Sequence, residues 1–127
     1  MASAALFLRI GALLGGLAVA LGAFGAHGLK ERIDAEMLAV FETGVRYHFY
    51  HALALIAIAA GSAALWESQW TAAAAWAWFA GVIIFSGSLY LLVVTGTRWL
   101  GAITPIGGVA FIIGWVCLGI AAGALTR

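Results

Sequence analysis

The sequence predicts an all-α protein: a bundle of four transmembrane helices, with a short amphipathic helix at the membrane surface between helices 1 and 2. Hydrophobic residues make up 65% of the 127 residues and charged residues only 9%, whereas soluble domains carry about 45–50% and about 25%. A soluble fold of this length buries only about 68–70% of the surface that its unfolded chain exposes, so much of this apolar surface would face water. We therefore expect residues 1–127 to form one integral membrane domain.

Four apolar stretches predict the spans, at residues 4–26, 45–66, 70–94 and 99–125. Each reaches the roughly 20 residues that a helix needs to cross a hydrocarbon core of about 30 Å. Helix is the expected form, because an open sheet would leave peptide groups without hydrogen bonds in lipid. Residues 4–26 are a poor secretory signal, since Arg9 lies late and residues 23–26 make a weak cleavage site. Pro105 predicts a kinked or locally open entry to the fourth helix on the cytoplasmic side, because proline removes a backbone donor.

The basic residues predict how the bundle is oriented. Lys and Arg are more frequent in cytoplasmic loops than in loops on the other side. One side of the predicted bundle carries four basic residues, Lys30, Arg32, Arg46 and Arg98, and the other carries Arg9 and Arg127. We therefore expect the first side to face the cytoplasm and both termini to lie on the periplasmic side.

The segment from His27 to His51 holds most of the residues capable of chemistry, including all three histidines and four of the five acidic residues. Apolar residues recur at helical spacing in its first half, at Leu29, Ile33, Met37, Val40 and Phe41. This pattern is typical of an amphipathic helix that lies in the membrane surface. Gly44 is expected to form the bend before the second span.

A polar cluster is predicted where this segment enters the membrane. Glu42 and Arg46 have the spacing and order of a helical ion pair. His51 would lie about 7–8 Å deeper than Arg46, at about 1.5 Å per residue, where a titratable ring should face the bundle interior. Tyr47 is one turn before His51, and His27 closes the first helix on the same side of the membrane.

Three roles are open for these groups. His51 fits structural hydrogen bonding to a backbone carbonyl or hydroxyl, a pocket for protons or a polar ligand, or ligation of a metal or haem with His48. On the third span, Ser86 and Tyr90 share a helix face, and their hydroxyls fit either bonding between helices or ligand contact. No nucleophile–base pair, phosphate loop or paired carboxylate is apparent, so we expect neither an enzyme nor a metal site, and the sequence identifies no cofactor.

Four motifs, in order, are similar to one known family. They are GAFGAHG at 22–28, ETGVRYHFYHALA at 42–54, FSGSLY at 85–90 and TPIGG at 104–108, continuing to Gly114 and Trp115. Together they resemble the uncharacterised YgdD/YwdK family of small membrane proteins, also called domain of unknown function 423. The resemblance implies four spans and a bacterial inner-membrane location, and it implies no activity. His48 departs from the family pattern, which commonly has glutamine at that position.

Two functional hypotheses follow from the sequence. The first is an accessory or structural component of the bacterial inner membrane, surrounded by lipid and assembled as a homo-oligomer or in a larger complex. The alternative is a small transporter or ligand-binding bundle for a proton, a quinone-like molecule or a lipid. Its candidate site is a polar cluster in the cytoplasmic half, made of His27, Glu42, Arg46, Tyr47, His51, Ser86, Tyr90 and Thr104. A net charge of +1 gives no indication of a nucleic-acid partner.

Overall fold

The computed structural model describes residues 2–126, which are helical almost throughout and include no strand. The helices are α1 (Ala2–His27), α2 (Ala35–Ala59), the short α3 (Ala63–Trp66), α4 (Gln69–Gly81), α5 (Gly87–Thr95) and α6 (Thr104–Ala121). A π-helical turn, Val82–Ser86, joins α4 to α5 without a break, and 3-10 turns occupy Leu29–Glu31, Arg98–Ala102 and Ala122–Thr126. The all-α prediction is confirmed.

Two helix pairs build the bundle. α1 packs along α2, α4 packs along α6, and α2 also contacts the π turn and α5. The two helix pairs share one hydrophobic core. Large side chains from different helices fill it, among them Phe7, Leu55, Trp78 and Phe111. Most other large apolar side chains on α1 and α6 point outward and are exposed, which is the pattern expected where lipid covers the surface.

Three helical stretches are long and apolar enough, by length and composition, to cross a membrane: Ser3–Glu31, Gln69–Thr95 and Arg98–Thr126. They correspond to the predicted first, third and fourth spans. The helix at the predicted second span, α2, is 25 residues long but carries Glu42, Arg46 and two histidines. These polar residues lower its hydropathy, so the described residues contain three candidate spans rather than the expected four.

The expected interfacial helix is not a separate element. Leu29–Glu31 forms a single 3-10 turn, and the rest of the amphipathic stretch forms the first turns of α2. Asp34 caps α2, its side chain accepting a hydrogen bond from the Met37 backbone N–H at 2.8 Å. α2 continues through Gly44 without the expected bend, and the missing Cβ allows Tyr90 to pack there, since an added Cβ would lie 2.9 Å from its ring.

Pro105 does not lie inside a continuous α-helix, because the 3-10 turn Arg98–Ala102 precedes the start of α6. α6 begins at Thr104, so Pro105 lies in its first turn, where a helix needs no hydrogen bond from that backbone nitrogen. The preceding chain leaves α5 through Gly96, whose φ of 69° is in the left-handed region that favours glycine. α6 packs closely on α4 and on the π turn, where an added Cβ at Gly107 would collide with the backbone of Phe85.

Candidate functional site

His51 is held in the centre of the bundle by contacts from two helices. Its Nδ1 lies 2.8 Å from the backbone carbonyl of Tyr47, and its Nε2 lies 3.0 Å from the indole Nε1 of Trp115. The ring stacks on Phe111, with centroids 3.7 Å apart and planes 7° from parallel. The side chain is only 4% exposed. His51 therefore joins α2 to α6 by a stacked ring and a hydrogen bond.

The two partners of His51 determine which of its nitrogens carries a proton. A carbonyl oxygen only accepts hydrogen bonds, so Nδ1 must be the donor, and an indole N–H only donates, so Nε2 must be the acceptor. The ring is consequently the neutral tautomer with its proton on Nδ1. Both nitrogens are occupied by protein groups, so neither is free for a further hydrogen bond in this arrangement.

His48 lies one turn earlier on α2 and has a different environment. It is 2% exposed, and its Nδ1 lies 2.8 Å from the hydroxyl of Tyr90 on α5. Its Nε2 is buried and has no hydrogen-bond partner. The backbone of Leu14 on α1 lies near the ring, but outside hydrogen-bond geometry. His48 lies outside the predicted polar cluster, because the family that the chain resembles commonly has glutamine at that position.

The hydroxyl groups of the predicted cluster connect neighbouring elements. Ser86 donates to the carbonyl of Gly44 at 2.7 Å, which ties the π turn to α2. Ser88 lies 2.6 Å from the hydroxyl of Thr104 and ties α5 to the start of α6. Both serines are buried. These bonds satisfy polar groups that would otherwise be unpaired in the bundle interior.

The structure divides the predicted cluster between two sides of α2. Tyr90, expected beside His51 with Ser86, bonds to His48 instead. The phenol of Tyr47 does not bond to His51, which takes only the Tyr47 backbone carbonyl. The Tyr47 side chain is 42% exposed and packs against the rings of Phe85 and Phe111.

The remaining predicted residues lie near the surface. His27, Glu42 and Arg46 are exposed. Glu42 and Arg46 line a pocket of about 280 Å³ beside Gly22. The ion pair expected between Glu42 and Arg46 is not formed, and among residues 2–126 an ion pair links Glu36 to Arg98 at 3.3 Å instead. Because Glu42 and Arg46 are both exposed, solvent weakens their attraction.

The described part of the chain contains no group of three or more His, Cys, Asp or Glu side chains placed to hold a metal ion. Cys117 is buried on α6. Two apolar grooves flank α2. One, of about 500 Å³, is lined by Tyr47, His51 and α6, and the other, of about 530 Å³, is lined by His48, α1, the π turn and α5.

The amino-acid sequence of the chain is similar to those of small membrane proteins. Residues 21–108 match the model of the family DUF423, whose description is a protein of unknown function. The chain is 52% identical over 116 residues to the UPF0382 membrane protein YwdK of Bacillus subtilis, covering 91% of this chain and 94% of that protein. It is 51% identical over 118 residues to a UPF0382 membrane protein of Staphylococcus aureus, covering 91% and 93%. No solved structure matches.

Proposed function

The chain belongs to the DUF423 family of membrane proteins, and from that premise we propose that it is a non-enzymatic accessory component of a larger assembly in the bacterial inner membrane. The observation that carries this proposal is how the polar side chains in the interior are used. His51 bonds to Trp115, Ser86 to Gly44 and Ser88 to Thr104, and each bond joins two helical elements. These groups hold the bundle together, and the outer surface remains apolar and available to lipid or to a partner helix.

The proposed topology has four crossings, with α2 as the second. α2 packs along α1 and, at about 1.5 Å per residue, its 25 residues extend about 37 Å, which exceeds a hydrocarbon core of about 30 Å. His48 and His51 are buried inside the bundle, where polar groups in a membrane helix are expected. The excess of Lys and Arg on one side supports a periplasmic location for both termini.

A pair of single-cysteine variants tests this topology. In a Cys117→Ala background, Lys30→Cys and Glu67→Cys each place one thiol at an exposed position at opposite ends of the bundle. A membrane-impermeant thiol reagent should label Glu67→Cys in intact spheroplasts and Lys30→Cys only in inverted vesicles. Labelling of both positions from the same side would contradict the four-crossing arrangement.

Photocrosslinking in cells tests the accessory role. A photoreactive amino acid at exposed Leu13, Val94 or Val116, one on each of three helices, samples different faces of the bundle. The proposal predicts a discrete adduct with another protein from some of these positions and not from the others. The matched measurement is native mass analysis after gentle extraction. A lone monomer at every position and in every extract would contradict the proposal, as would an adduct only with a second copy of the chain.

A further inference from the structure

The pocket beside Gly22 combines two opposite charges with an apolar wall. It lies where α1 packs on α2, and Gly22 of α1 lines it together with Phe41, Glu42, Val45 and Arg46 of α2. Phe41 is buried and Val45 is half-buried, whereas both charged side chains are exposed. Among residues 2–126 neither charge takes part in an ion pair. The pocket therefore presents a carboxylate and a guanidinium, side by side, to whatever surrounds the bundle.

The pocket lies close to one end of the bundle. Gly22 is five residues before His27, the last residue of α1, which places it about 7–8 Å from the end of that helix. A bilayer is about 40–45 Å thick with its headgroups and its hydrocarbon core about 30 Å, so each headgroup layer is about 5–8 Å deep. The long side chain of Arg46 can direct its charge outward into this layer. The pocket is therefore at the level where headgroups meet acyl chains.

The exposed face of α2 carries its chemical groups in a definite order. Glu42, Arg46 and Leu53 share this face, because they are separated by four and seven residues, and all three are exposed. Arg46 lies about 6 Å deeper than Glu42, and Leu53 about 10 Å deeper again. From the outside inward the order is negative, positive, apolar. An aminophospholipid has the complementary order in either leaflet, with its ammonium outermost, then its phosphate, then its acyl chains.

We propose that the pocket beside Gly22 binds the headgroup of an aminophospholipid, with Arg46 on the phosphate and Glu42 accepting a hydrogen bond from the primary ammonium. The acyl chains lie along α2 towards Leu53. Guanidinium matches phosphate geometry, and an ammonium has three donors to offer a carboxylate. The volume of about 280 Å³ is just below the range for whole small ligands, about 300–1,000 Å³, and suits a headgroup.

The inference rests on the proposed crossing of α2 and not on the accessory role. Labelling of Lys30→Cys and Glu67→Cys tests the crossing separately, so the lipid site can fail while the topology holds. The side of the membrane does not matter, because the headgroup order is the same in both leaflets.

The acid in the pocket determines which phospholipids are disfavoured. Phosphatidylglycerol offers a phosphate but no cation, so Glu42 would repel it. Phosphatidylcholine carries a cation, but its quaternary ammonium has no N–H to donate to the carboxylate. Phosphatidylethanolamine provides both groups. Losing one exposed charge-assisted hydrogen bond should weaken binding by about 3- to 10-fold, which is the preference we expect for phosphatidylethanolamine over either of the other two.

Two changes of charge separate a lipid site from an ion pair along the helix. Glu42→Gln removes the charge that meets the ammonium and keeps the size of the side chain. The double variant Glu42→Arg with Arg46→Glu exchanges the two charges, so it keeps the net charge and the four-residue spacing but inverts the order in which a lipid meets them. Glu36→Gln is the matched control, because Glu36 is an exposed acid of the same helix outside the pocket.

A glycine provides a test that leaves both charges in place. A Cβ at Gly22 would lie 3.4 Å from the side chain of Val45, so Gly22→Leu adds a side chain to the pocket without a severe clash at its Cβ. Gly16 lies on the same helix outside the pocket, and a Cβ there would meet nothing within 4 Å. Gly16→Leu is therefore the control for adding a leucine to α1.

The experiment is native mass spectrometry of the full-length protein in detergent, titrated with phosphatidylethanolamine, phosphatidylcholine or phosphatidylglycerol of identical acyl chains. In the wild type, we expect the first phosphatidylethanolamine to bind about 3- to 10-fold more tightly than either other lipid. The preference should disappear in Glu42→Gln and in the exchanged double variant. Gly22→Leu should weaken phosphatidylethanolamine binding by about threefold or more, and Glu36→Gln and Gly16→Leu should match the wild type.

Three results would overturn the proposal. Equal or tighter binding of phosphatidylglycerol to the wild type would mean that Arg46 holds any phosphate and that Glu42 meets no ammonium. An unchanged preference in the exchanged double variant would mean that the two charges serve only each other. Unchanged binding in Gly22→Leu would mean that the lipid lies outside the pocket. If the double variant does not fold, the lipid comparison, Glu42→Gln and Gly22→Leu still decide the question.

Discussion

His48 and His51 lie one turn apart on α2 and are both buried, yet the protein uses them differently. His51 is stacked on Phe111 and bonded through both nitrogens, to Tyr47 and Trp115. His48 is bonded through one nitrogen only, to Tyr90, and its second nitrogen has no partner. The difference arises from what α2 faces at each position. Phe111 and Trp115 of α6 meet the His51 ring directly, whereas only the hydroxyl of Tyr90 reaches a nitrogen of His48, and each histidine lines one of the two apolar grooves.

The same contrast extends to the surrounding glycines. On the α6 side, added Cβ atoms at Gly107 and Gly114 would collide with Phe85 and Trp78. Beside the His48 groove, a Cβ at Gly87 would meet nothing within 4 Å. Close backbone contact is therefore found where α6 meets α4 and the π turn, and it is absent around Gly87. His51 joins α2 to α6 in this closely packed region, whereas His48 joins α2 to α5 near the open position at Gly87.

The largest expected effect compares two glycines. Gly107→Leu should destabilise the bundle by about 3 kcal/mol or more, because its Cβ collides with the Phe85 backbone, which cannot rotate away as a flexible side chain can. Gly87→Leu should stay within about 0.5 kcal/mol of the wild type, because its Cβ enters open space. Unfolding in increasing fractions of sodium dodecyl sulfate measures both. Equal losses would show that the two sides are packed alike.

The next effect concerns the bond between His51 and Trp115. His51→Phe keeps a ring to stack on Phe111 and removes the acceptor of the indole proton, so we expect a loss of about 1–2 kcal/mol. A double-mutant cycle with Trp115→Phe isolates the pair, and its coupling free energy should be about 0.6–1.7 kcal/mol, the range of interhelical hydrogen bonds in membranes. A coupling indistinguishable from zero would remove the argument for a structural His51.

A smaller loss is expected at Tyr90. Tyr90→Phe removes the hydroxyl that bonds to His48 and leaves both nitrogens of that ring without partners, which should cost about 1 kcal/mol. Tyr50→Phe is the matched control, because Tyr50 is exposed and lies on the same helix as His48. If both substitutions have the same effect on unfolding, the hydroxyl of Tyr90 does not hold His48.

The smallest effect is expected outside both regions. Arg98 and Glu36 form a pair at 3.3 Å, with side chains 72% and 68% exposed. Arg98→Gln should change the free energy of unfolding by about 0.5 kcal/mol or less, because solvent screens such pairs. The free energy of unfolding of this variant, measured at low and at high salt, gives the size of a surface effect against which the three larger effects are judged. A loss above that of Tyr90→Phe would mean that the ion pair holds α2 against the 3-10 turn Arg98–Ala102.

Hydropathy predicted the bounds of a helix well where the helix is apolar along its whole length. The predicted third span, 70–94, agrees with the continuous helical stretch Gln69–Thr95. The second helix begins ten residues before its predicted span, at Ala35 rather than at 45. Hydropathy detects where lipid begins, whereas the start of this helix is determined by the Asp34 cap and by packing on α1.

The site was less predictable, because it depends on the register between distant helices. His48 and Tyr90 are 42 positions apart, as are Gly44 and Ser86. No local pattern shows which histidine of α2 meets which hydroxyl of α5. The local sequence does not predict the π turn either. The turn accompanies the bond from Ser86 to Gly44 and the close approach of Gly107 to Phe85, and both involve distant parts of the chain. The spacing of Ser86 and Tyr90 indicated a shared face, but not the partner of that face.

The contrast between the two histidines can be measured directly by nitrogen-15 magnetic resonance of histidine-labelled protein in lipid bilayers, with His48→Gln and His51→Phe to assign the signals. We predict two neutral rings of opposite tautomer, because the Trp115 indole N–H donates to His51 Nε2 and the Tyr90 hydroxyl donates to His48 Nδ1. His51 should carry its proton on Nδ1, with Nε2 bonded to the Trp115 indole, and His48 should carry its proton on Nε2, with Nδ1 bonded to Tyr90. The same tautomer for both rings, or a proton on both nitrogens of either ring, would contradict the account.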